Sequence, residues 1–223
     1  MILETYPDRD FLMLRLADLI AGQLGDFLRR DGRASLCVPG GTTPGPIFDT
    51  LSGVELAWEN VSVFLNDERW VPEESERSNT RLLRQRLIRG RAVNAMLVPL
   101  YAPTLTPEES MDDLAAGVTP HLPISVLLLG MGADMHTASL FPGADRLAEA
   151  LAPDAPVLLP MRAEAAGEPR VTLSARVLKA AFNIHILITG ADKRAALERA
   201  AGMDVLDAPV RAVLDNATVH WAE

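Results

Sequence analysis

A chain of 223 residues with 48% hydrophobic and 23% charged residues can bury one full core, which predicts a single domain over residues 1–223. Its formal net charge of −9 excludes the basic face that nucleic acids and anionic membranes require, so we expect neither as a partner. The single Cys37 excludes an intrachain disulfide, and the lack of a signal-peptide pattern or a long apolar run predicts a soluble cytoplasmic protein.

Helical and extended segments alternate along the chain. Apolar residues at helical spacing predict an opening helix over 8–30, and four short apolar runs predict strands over 35–40, 61–66, 124–129 and 183–189. The other predicted elements are a helix entered through GTTPGPIFDTL, a helix capped by Ser78, a helix over 107–117 started by Thr106 and Pro107, a turn and helix over 170–181, a helix over GADKRAALERAAG, and a short helix and last strand in the tail.

This alternation predicts an α/β sandwich around a mostly parallel sheet. In such sheets, ligands bind outside the carboxyl ends of the strands. We therefore expect the segments that follow the four strands to meet at one edge of the sheet. They carry glycines, hydroxyls, an arginine, a lysine, an acid and a histidine, and they span residues 40–44, 67–69, 130–136 and 190–193.

The segment LLLGMGADMHTASLFPG, residues 127–143, carries the candidate catalytic residues. Its first two glycines match a dinucleotide-binding fingerprint, but Met135 occupies the third glycine position, which argues against nucleotide binding. His136 is the one histidine of four in a glycine loop after a central strand, and imidazole can take a proton from water near neutral pH. Asp134 is placed to orient it. The alternative is an aspartate that caps a helix beside a structural histidine.

Three of the converging segments offer contacts for an anion. Glycines before a helix turn backbone N–H groups toward one point, threonine hydroxyls add donors, and an arginine or a lysine supplies charge. The alternatives are an ordinary glycine turn with a threonine cap, a surface salt bridge and a solvated lysine on a helix face. The candidate residues are Gly40, Gly41, Thr42, Thr43, Arg69 and Lys193.

Five blocks of the chain together resemble the 6-phosphogluconolactonases in order and spacing. The superfamily of these enzymes also contains the glucosamine-6-phosphate isomerase/deaminases, which are expected to have an Ala-Phe-Asn-Glu-Pro type sequence where this chain has SLFP at 139–142. Because no acid lies between His136 and Pro142, the resemblance favours the lactonase. The blocks are VPGGTTPGPIFDTL, NDERWVPEESERSNTRLL, LLLGMGADMHTASLFPG, PRVTLSARVLKAA and ITGADKRAALERA.

The resemblance implies a Rossmann-like three-layer α/β/α sandwich. It also implies hydrolysis of 6-phospho-D-glucono-1,5-lactone to 6-phosphogluconate, the second step of the oxidative pentose phosphate pathway. By resemblance, His136 is the general base, and the 40–44 loop, Arg69, Lys193 and Arg170 hold the phosphate and sugar. No metal or organic cofactor is implied. The partner is then a small phosphorylated sugar lactone, while the oligomeric state, monomer or homodimer, stays open.

Two residues depart from the family pattern. The family usually has Asp-Gly-His where this chain has Met135 in the middle, and usually has Ser where Pro39 precedes the glycine loop. A methionine is strained there if the backbone needs a positive φ, and it narrows the pocket if it faces the substrate. Two other functions stay open beside the lactonase: an amino-sugar-phosphate isomerase/deaminase, and a phosphosugar-binding regulator without turnover.

Overall fold

The computed structural model describes the backbone of residues 1–223 and every side chain except that of Ala165. Strands and helices alternate along this chain. The strands are β1 (Ile2–Thr5), β2 (Ala34–Val38), β3 (Val61–Leu65), β4 (Asp67–Arg69), β5 (Met96–Leu97), β6 (Val126–Gly130), β7 (Leu158–Met161), β8 (Arg170–Leu173), β9 (Asn183–Thr189) and β10 (Ala217–Ala222). The α-helices are α1 (Arg9–Asp31), α2 (Gly45–Leu51), α3 (Asn79–Arg86), α4 (Met111–Val118), α5 (Leu147–Leu151), α6 (Ala175–Lys179), α7 (Ala191–Ala200) and α8 (Arg211–Leu214).

Seven strands form one sheet in the order β1-β10-β9-β6-β2-β3-β5, and every neighbouring pair is parallel. From β2 the chain adds strands in one direction through β3 and β5. From β6 it adds them in the other direction through β9 and β10. The strand order therefore reverses between β2 and β6, and open α/β sheets form their ligand crevice at such a point.

Helices cover both faces of this sheet. Right-handed crossovers between parallel strands place α1, α2 and α3 on one face and the later helices on the other. The packing agrees, because α2 contacts both α1 and α3, while α6 contacts both α5 and α8. The predicted three-layer α/β/α sandwich around a mostly parallel sheet is confirmed.

The core lies between the central strands and the two helix layers. Every residue of β2 is buried, and so are the first four of β6, so neither strand alternates between apolar and polar residues. Helix α1 buries Leu12, Leu16, Ile20 and Leu24, which repeat every four residues along one stripe. Cys37 is fully buried in β2, and burial raises the pKa of its thiol well above the usual value, which fits a packing role.

A second, three-stranded antiparallel sheet of order β4-β8-β7 corrects two sequence predictions. Residues 67–69 form a strand rather than a loop, and 170–173, predicted as the start of a turn and helix, form the strand that pairs with it. The β-branched Val171 and Thr172 favour this extended form. Strands this short form only because they pair with each other, and β4 and β8 lie about 100 residues apart in the chain.

The main helices and strands otherwise follow the predictions within a few residues. The opening helix begins one residue later than predicted, capped by the side chain of Asp8, and β9 covers the predicted 183–189. Ser78 caps α3, and Thr106 forms a capping box, although the turn after Thr106 is a 3-10 helix before α4 begins. Within the described chain, no helix has both the length and the apolar character that crossing a membrane requires.

Candidate active site

A cleft of about 350 Å³ opens at the carboxyl edge of the large sheet, beside the point where the strand order reverses. All four segments that were expected to converge contribute to its wall. It is lined by Pro39, Gly40, Gly41, Thr43, Pro44, Asn66, Asp67, Arg69, Asn79, Leu129, Gly130, Met131, Gly132, His136, Ala138, Phe141, Arg170, Leu187 and Lys193. Of the candidate residues, Thr42 is exposed and lies outside this lining, and Asp134 reaches the cleft only through its contact with His136.

The side chains of His136 and Asp134 form a hydrogen-bonded pair, with 2.5 Å between His136 Nδ1 and Asp134 Oδ1. This contact lowers the pKa of the Asp134 carboxyl below its usual range, so the group is ionised at neutral pH. An ionised carboxylate only accepts hydrogen bonds, so Nδ1 carries the proton. In the neutral ring, the lone pair then lies on Nε2. The ring also contacts Phe141, with 4.4 Å between ring centroids, which limits its rotation.

The backbone of this loop is unusually tight. The N–H of Gly132 donates to the carbonyl of His136, and the N–H of Met135 donates to the carbonyl of Gly132. A Cβ on Gly132 would lie 2.2 Å from His136 Nδ1 and 2.3 Å from Asp134 Oδ1, so only glycine fits. The hydrogen-bonded pair therefore depends on a backbone that passes directly beneath it.

Met135 adopts a positive φ of 66°, the backbone conformation that favours glycine. Its side chain is only 8% exposed, belongs to the hydrophobic core and is absent from the cleft lining, while its carbonyl accepts a hydrogen bond from Val210 N. Of the two consequences considered for this departure from the family pattern, the structure shows the strained backbone and not the narrowed pocket.

Strands β4 and β8 place two arginines side by side in the cleft wall. Their antiparallel register pairs Arg69 with Arg170, and residues paired in this way point to the same face. Like charges in such a pair repel each other. The Nε of each arginine is also buried, and neither has an acceptor among the described residues. Two guanidinium groups with unused donors favour an anionic ligand between them.

Neighbouring groups hold the two guanidinium groups in place. Arg69 Nη1 donates to the carbonyl of Arg77 at 2.7 Å, and Arg170 Nη2 donates to the carbonyl of Ala166 at 3.1 Å. Arg170 Nη1 lies 3.5 Å from Asp67 Oδ2. Burial lowers the pKa of Arg170, but a guanidinium in a protein keeps its proton, so its charge remains.

Lys193 lies on the first turn of α7 and lines the cleft. Burial lowers the pKa of its ammonium, and the charge of Asp134 opposes that shift. The chain has only two lysines, and Lys179 is exposed. A half-buried lysine that interacts with the charge of Asp134 differs from the solvated helix-face lysine that was the alternative interpretation.

Three polar residues of the cleft were not among the candidate site residues, although Asp67 lies in the segment 67–69 that was expected at this edge of the sheet. Asn66 Nδ2 donates to the carbonyl of Leu128 at 3.2 Å, while its buried Oδ1 has no donor among the described residues. Asp67 accepts a 2.5 Å hydrogen bond from Ser139 Oγ. Asn79 Nδ2 donates to the carbonyl of Asp67 at 3.2 Å. Asn66 and Asp67 directly follow the apolar run of β3, a signal that could have marked them.

The glycine loop is shaped by contact with α3. A Cβ on Gly40 would lie 2.0 Å from Asn79 Oδ1, so this side chain packs directly on the backbone of the loop. Gly41 has a positive φ of 82°.

Among the described residues there is no cluster of three or more His, Cys, Asp or Glu side chains that could hold a metal ion.

The fold and the cleft define an α/β protein with a histidine–carboxylate pair and a cationic wall at the carboxyl edge of a parallel sheet. The family model described as glucosamine-6-phosphate isomerases/6-phosphogluconolactonase matches residues 7–221, and the chain belongs to that family.

Individual relatives match almost the whole chain. The 6-phosphogluconolactonase of Mesorhizobium japonicum is 44% identical over 98% of this chain and 94% of its own length. That of Rhizobium meliloti is 43% identical over 99% and 98%. The crystal structure of a 6-phosphogluconolactonase from Shewanella baltica superposes with a TM-score of 0.96 at 33% identity, and the match covers 100% of this chain and 98% of the other.

Proposed function

We propose that this protein hydrolyses 6-phospho-D-glucono-1,5-lactone to 6-phosphogluconate, the second step of the oxidative pentose phosphate pathway. The observation that carries the proposal is one cleft in which an Asp134-bound imidazole faces two paired arginines and a lysine. Such a cleft combines a base for water with charges for a phosphate. The family, and relatives above 40% identity that carry this activity in their names, support the same conclusion.

In the proposed mechanism, Nε2 of His136 accepts a proton from a water molecule, which attacks the lactone carbonyl carbon. Asp134 holds the ring in the tautomer that leaves Nε2 free to accept and stabilises the imidazolium that forms. Positive charge in the cleft wall stabilises the tetrahedral oxyanion. As the carbon–oxygen bond of the ring breaks, the imidazolium returns its proton to the leaving ring oxygen. A δ-lactone is reactive by itself, so no covalent intermediate is required.

The phosphate is proposed to lie against Arg69 and Arg170, and Lys193 adds a third cation to the same cleft. Both arginines present an Nε donor that has no acceptor among the described residues. The backbone of the 40–44 loop and the hydroxyl of Thr43 supply further donors, and the buried Oδ1 of Asn66 can accept from a sugar hydroxyl. The wall thus offers charge for the phosphate and polar contacts for the ring.

The test is hydrolysis of freshly made 6-phosphogluconolactone, corrected for the spontaneous rate, beside hydrolysis of unphosphorylated gluconolactone. We expect strong acceleration of the first reaction and little of the second. Equal acceleration would contradict the phosphate contacts. Ammonia release from glucosamine 6-phosphate would establish the deaminase instead, and calorimetric binding of 6-phosphogluconate without hydrolysis would establish a regulator.

The two lysines provide a matched pair of variants for the phosphate contacts. Lys193→Ala should raise KM for the phosphorylated lactone, because a charge-assisted contact is worth about 1.5–3 kcal/mol, or roughly 10- to 150-fold. Lys179→Ala, at an exposed position, should leave KM unchanged. Equal KM values in the two variants would show that Lys193 does not contact the phosphate.

A further inference from the structure

Glu68 is a fully buried carboxylate on the opposite side of β4 from the cleft. Side chains alternate along a strand, so Asp67 and Arg69 point into the cleft while Glu68 points toward α3. None of the roles described above involves this residue. A buried charge is costly unless its hydrogen-bonding capacity is satisfied, so its partners explain why it is kept there.

Both carboxylate oxygens of Glu68 accept hydrogen bonds from the chain around them. Oε1 accepts from the backbone N–H of Arg69 at 2.7 Å and of Asn79 at 2.9 Å. Oε2 accepts from the backbone N–H of Thr80 at 2.7 Å, from its hydroxyl at 2.7 Å and from the hydroxyl of Ser78 at 3.3 Å. Burial raises the pKa of Glu68, and these hydrogen bonds oppose the shift.

These contacts join the end of β4 to the start of α3, and both carry cleft residues. Asn79 packs on the Gly40 backbone. Arg77, two residues before Asn79, supplies the carbonyl that holds the guanidinium of Arg69. The carboxylate of Glu68 thus holds the backbone of Arg69 directly. Through its contacts with the start of α3, it also holds the Arg77 carbonyl, which orients the Arg69 side chain.

We propose that Glu68 is a positioning residue for the phosphate side of the cleft. It closes the loop between β4 and α3 so that Arg69 and Asn79 are held ready for the substrate. This inference rests on the proposed lactonase function, because its readout is the binding of the phosphorylated lactone. It predicts that a change at Glu68 acts on phosphate recognition and leaves the base on the other loop intact.

Glu68→Gln is the sharpest variant, because it keeps the shape and removes one acceptor oxygen. Whichever way the amide is turned, its NH₂ faces a backbone N–H, which cannot accept a hydrogen bond. We expect KM for the phosphorylated lactone to rise by about tenfold to a hundredfold with kcat little changed, since misplacing a binding group can cost that much. The ratio kcat/KM for unphosphorylated gluconolactone should stay at its wild-type value.

The matched control is Glu109→Gln. Glu109 also accepts from a backbone N–H and a hydroxyl, both of Thr106, but it is not part of the cleft lining. This variant should keep the wild-type KM. Thr80→Val covers the case in which Glu68→Gln does not fold, because it removes a single donor to Glu68 and should raise KM by about twofold to fivefold.

The outcomes separate this inference from the proposed function. If the wild-type protein does not hydrolyse the phosphorylated lactone, the proposed lactonase function is wrong, and the positioning role of Glu68 falls with it. If the wild-type protein is active, an equal loss on both lactones in Glu68→Gln or Thr80→Val would show a general structural role and overturn the inference. An unchanged KM in a folded Glu68→Gln protein, or in Thr80→Val where Glu68→Gln does not fold, would overturn it as well.

Discussion

Two histidine sites in this molecule differ in every respect that matters for chemistry. His136 lies in a loop at the carboxyl edge of the sheet, with its side chain 30% exposed and bonded to an ionised aspartate. His185 and His220 lie side by side on β9 and β10, both under 5% exposed. The imidazole of His136 can therefore exchange a proton with water, whereas the imidazoles of His185 and His220 cannot.

The buried pair forms a chain of neutral hydrogen bonds. The amide oxygen of Gln23 accepts from His185 Nε2 at 2.8 Å, so the lone pair of His185 lies on Nδ1. That nitrogen lies 3.0 Å from His220 Nε2, and His220 Nδ1 lies 2.8 Å from the hydroxyl of Tyr6. Each ring therefore carries its proton on Nε2, opposite to the tautomer of His136.

Burial keeps His185 and His220 neutral, as firmly as hydrogen bonding sets their tautomers. It lowers the pKa of His185 to about 4, and burial together with His185 lowers the pKa of His220 to about 3. His136 instead lies at a partly exposed position, where the carboxylate of Asp134 is the hydrogen-bond partner of its Nδ1. The comparison teaches that function follows the partner and the solvent exposure of a histidine, not its presence.

The largest effect is expected from His136→Asn. Loss of a positioned general base should lower kcat by about 10²–10⁴-fold, while 6-phosphogluconate still binds because the proposed phosphate contacts lie on β4, β8 and α7. Single-turnover kinetics and calorimetry on the same preparation give both quantities. The control is His121→Asn, a histidine that lies outside the cleft and should keep the wild-type kcat. A folded His136→Asn protein with wild-type kcat would show that His136 takes no part in catalysis and that this loop has only a structural role.

Acid should destabilise the protein through the buried pair. Because both folded pKa values lie below the ordinary 6.5, the unfolded chain binds more protons between pH 6.5 and 4, so stability falls as pH falls. The loss should be about 3 kcal/mol for each histidine over that interval. Denaturant unfolding at several pH values measures it. The double variant His185→Gln, His220→Gln should show a flatter pH dependence; an unchanged slope would mean that these histidines are not the titrating groups.

Asp134→Asn should have an intermediate effect on catalysis. An amide oxygen can still accept from Nδ1, but the negative charge that stabilises the imidazolium is lost. We expect kcat to fall by about 10- to 100-fold, with KM for the phosphorylated lactone nearly unchanged. A fall as large as that in His136→Asn would show that the tautomer itself depends on the charge, and no fall would remove Asp134 from the mechanism.

The smallest effect concerns the strained backbone at Met135. Met135→Gly and Met135→Ala both remove a buried side chain, so both should be less stable than wild type. At a φ of 66°, however, glycine has no backbone strain, whereas alanine keeps the strain that any residue with a Cβ has there. We expect the glycine variant to be more stable than the alanine variant by about 1 kcal/mol, with equal kcat. Thermal unfolding of the two proteins measures the difference, and the reverse order would show that the loop relaxes.

The sequence was sufficient to predict what is local or periodic. Helix α1 and strand β9 follow from apolar spacing, and His136 stood out because it follows a central strand. The second sheet could not be predicted, since β4 has three residues and its partner is about 100 residues away. For the same reason the pairing of Arg69 with Arg170 was missed, although both residues were candidates. Glu68 lies within the segment 67–69 that was expected at the edge of the sheet, but only the fold shows which side of β4 its side chain faces.

The imidazole ¹⁵N signals of the four histidines, followed through a pH titration beside the rate of lactone hydrolysis, distinguish the two kinds of histidine site. We expect His136 to carry its proton on Nδ1, and we expect hydrolysis to be lost once Nε2 is protonated, because a protonated nitrogen cannot accept a proton from water. We expect the opposite tautomer for His185 and His220, whose pKa values are lowered by burial. A neutral His136 ring with its proton on Nε2, or hydrolysis that persists after the ring is protonated, would contradict the proposed role of His136 as the base.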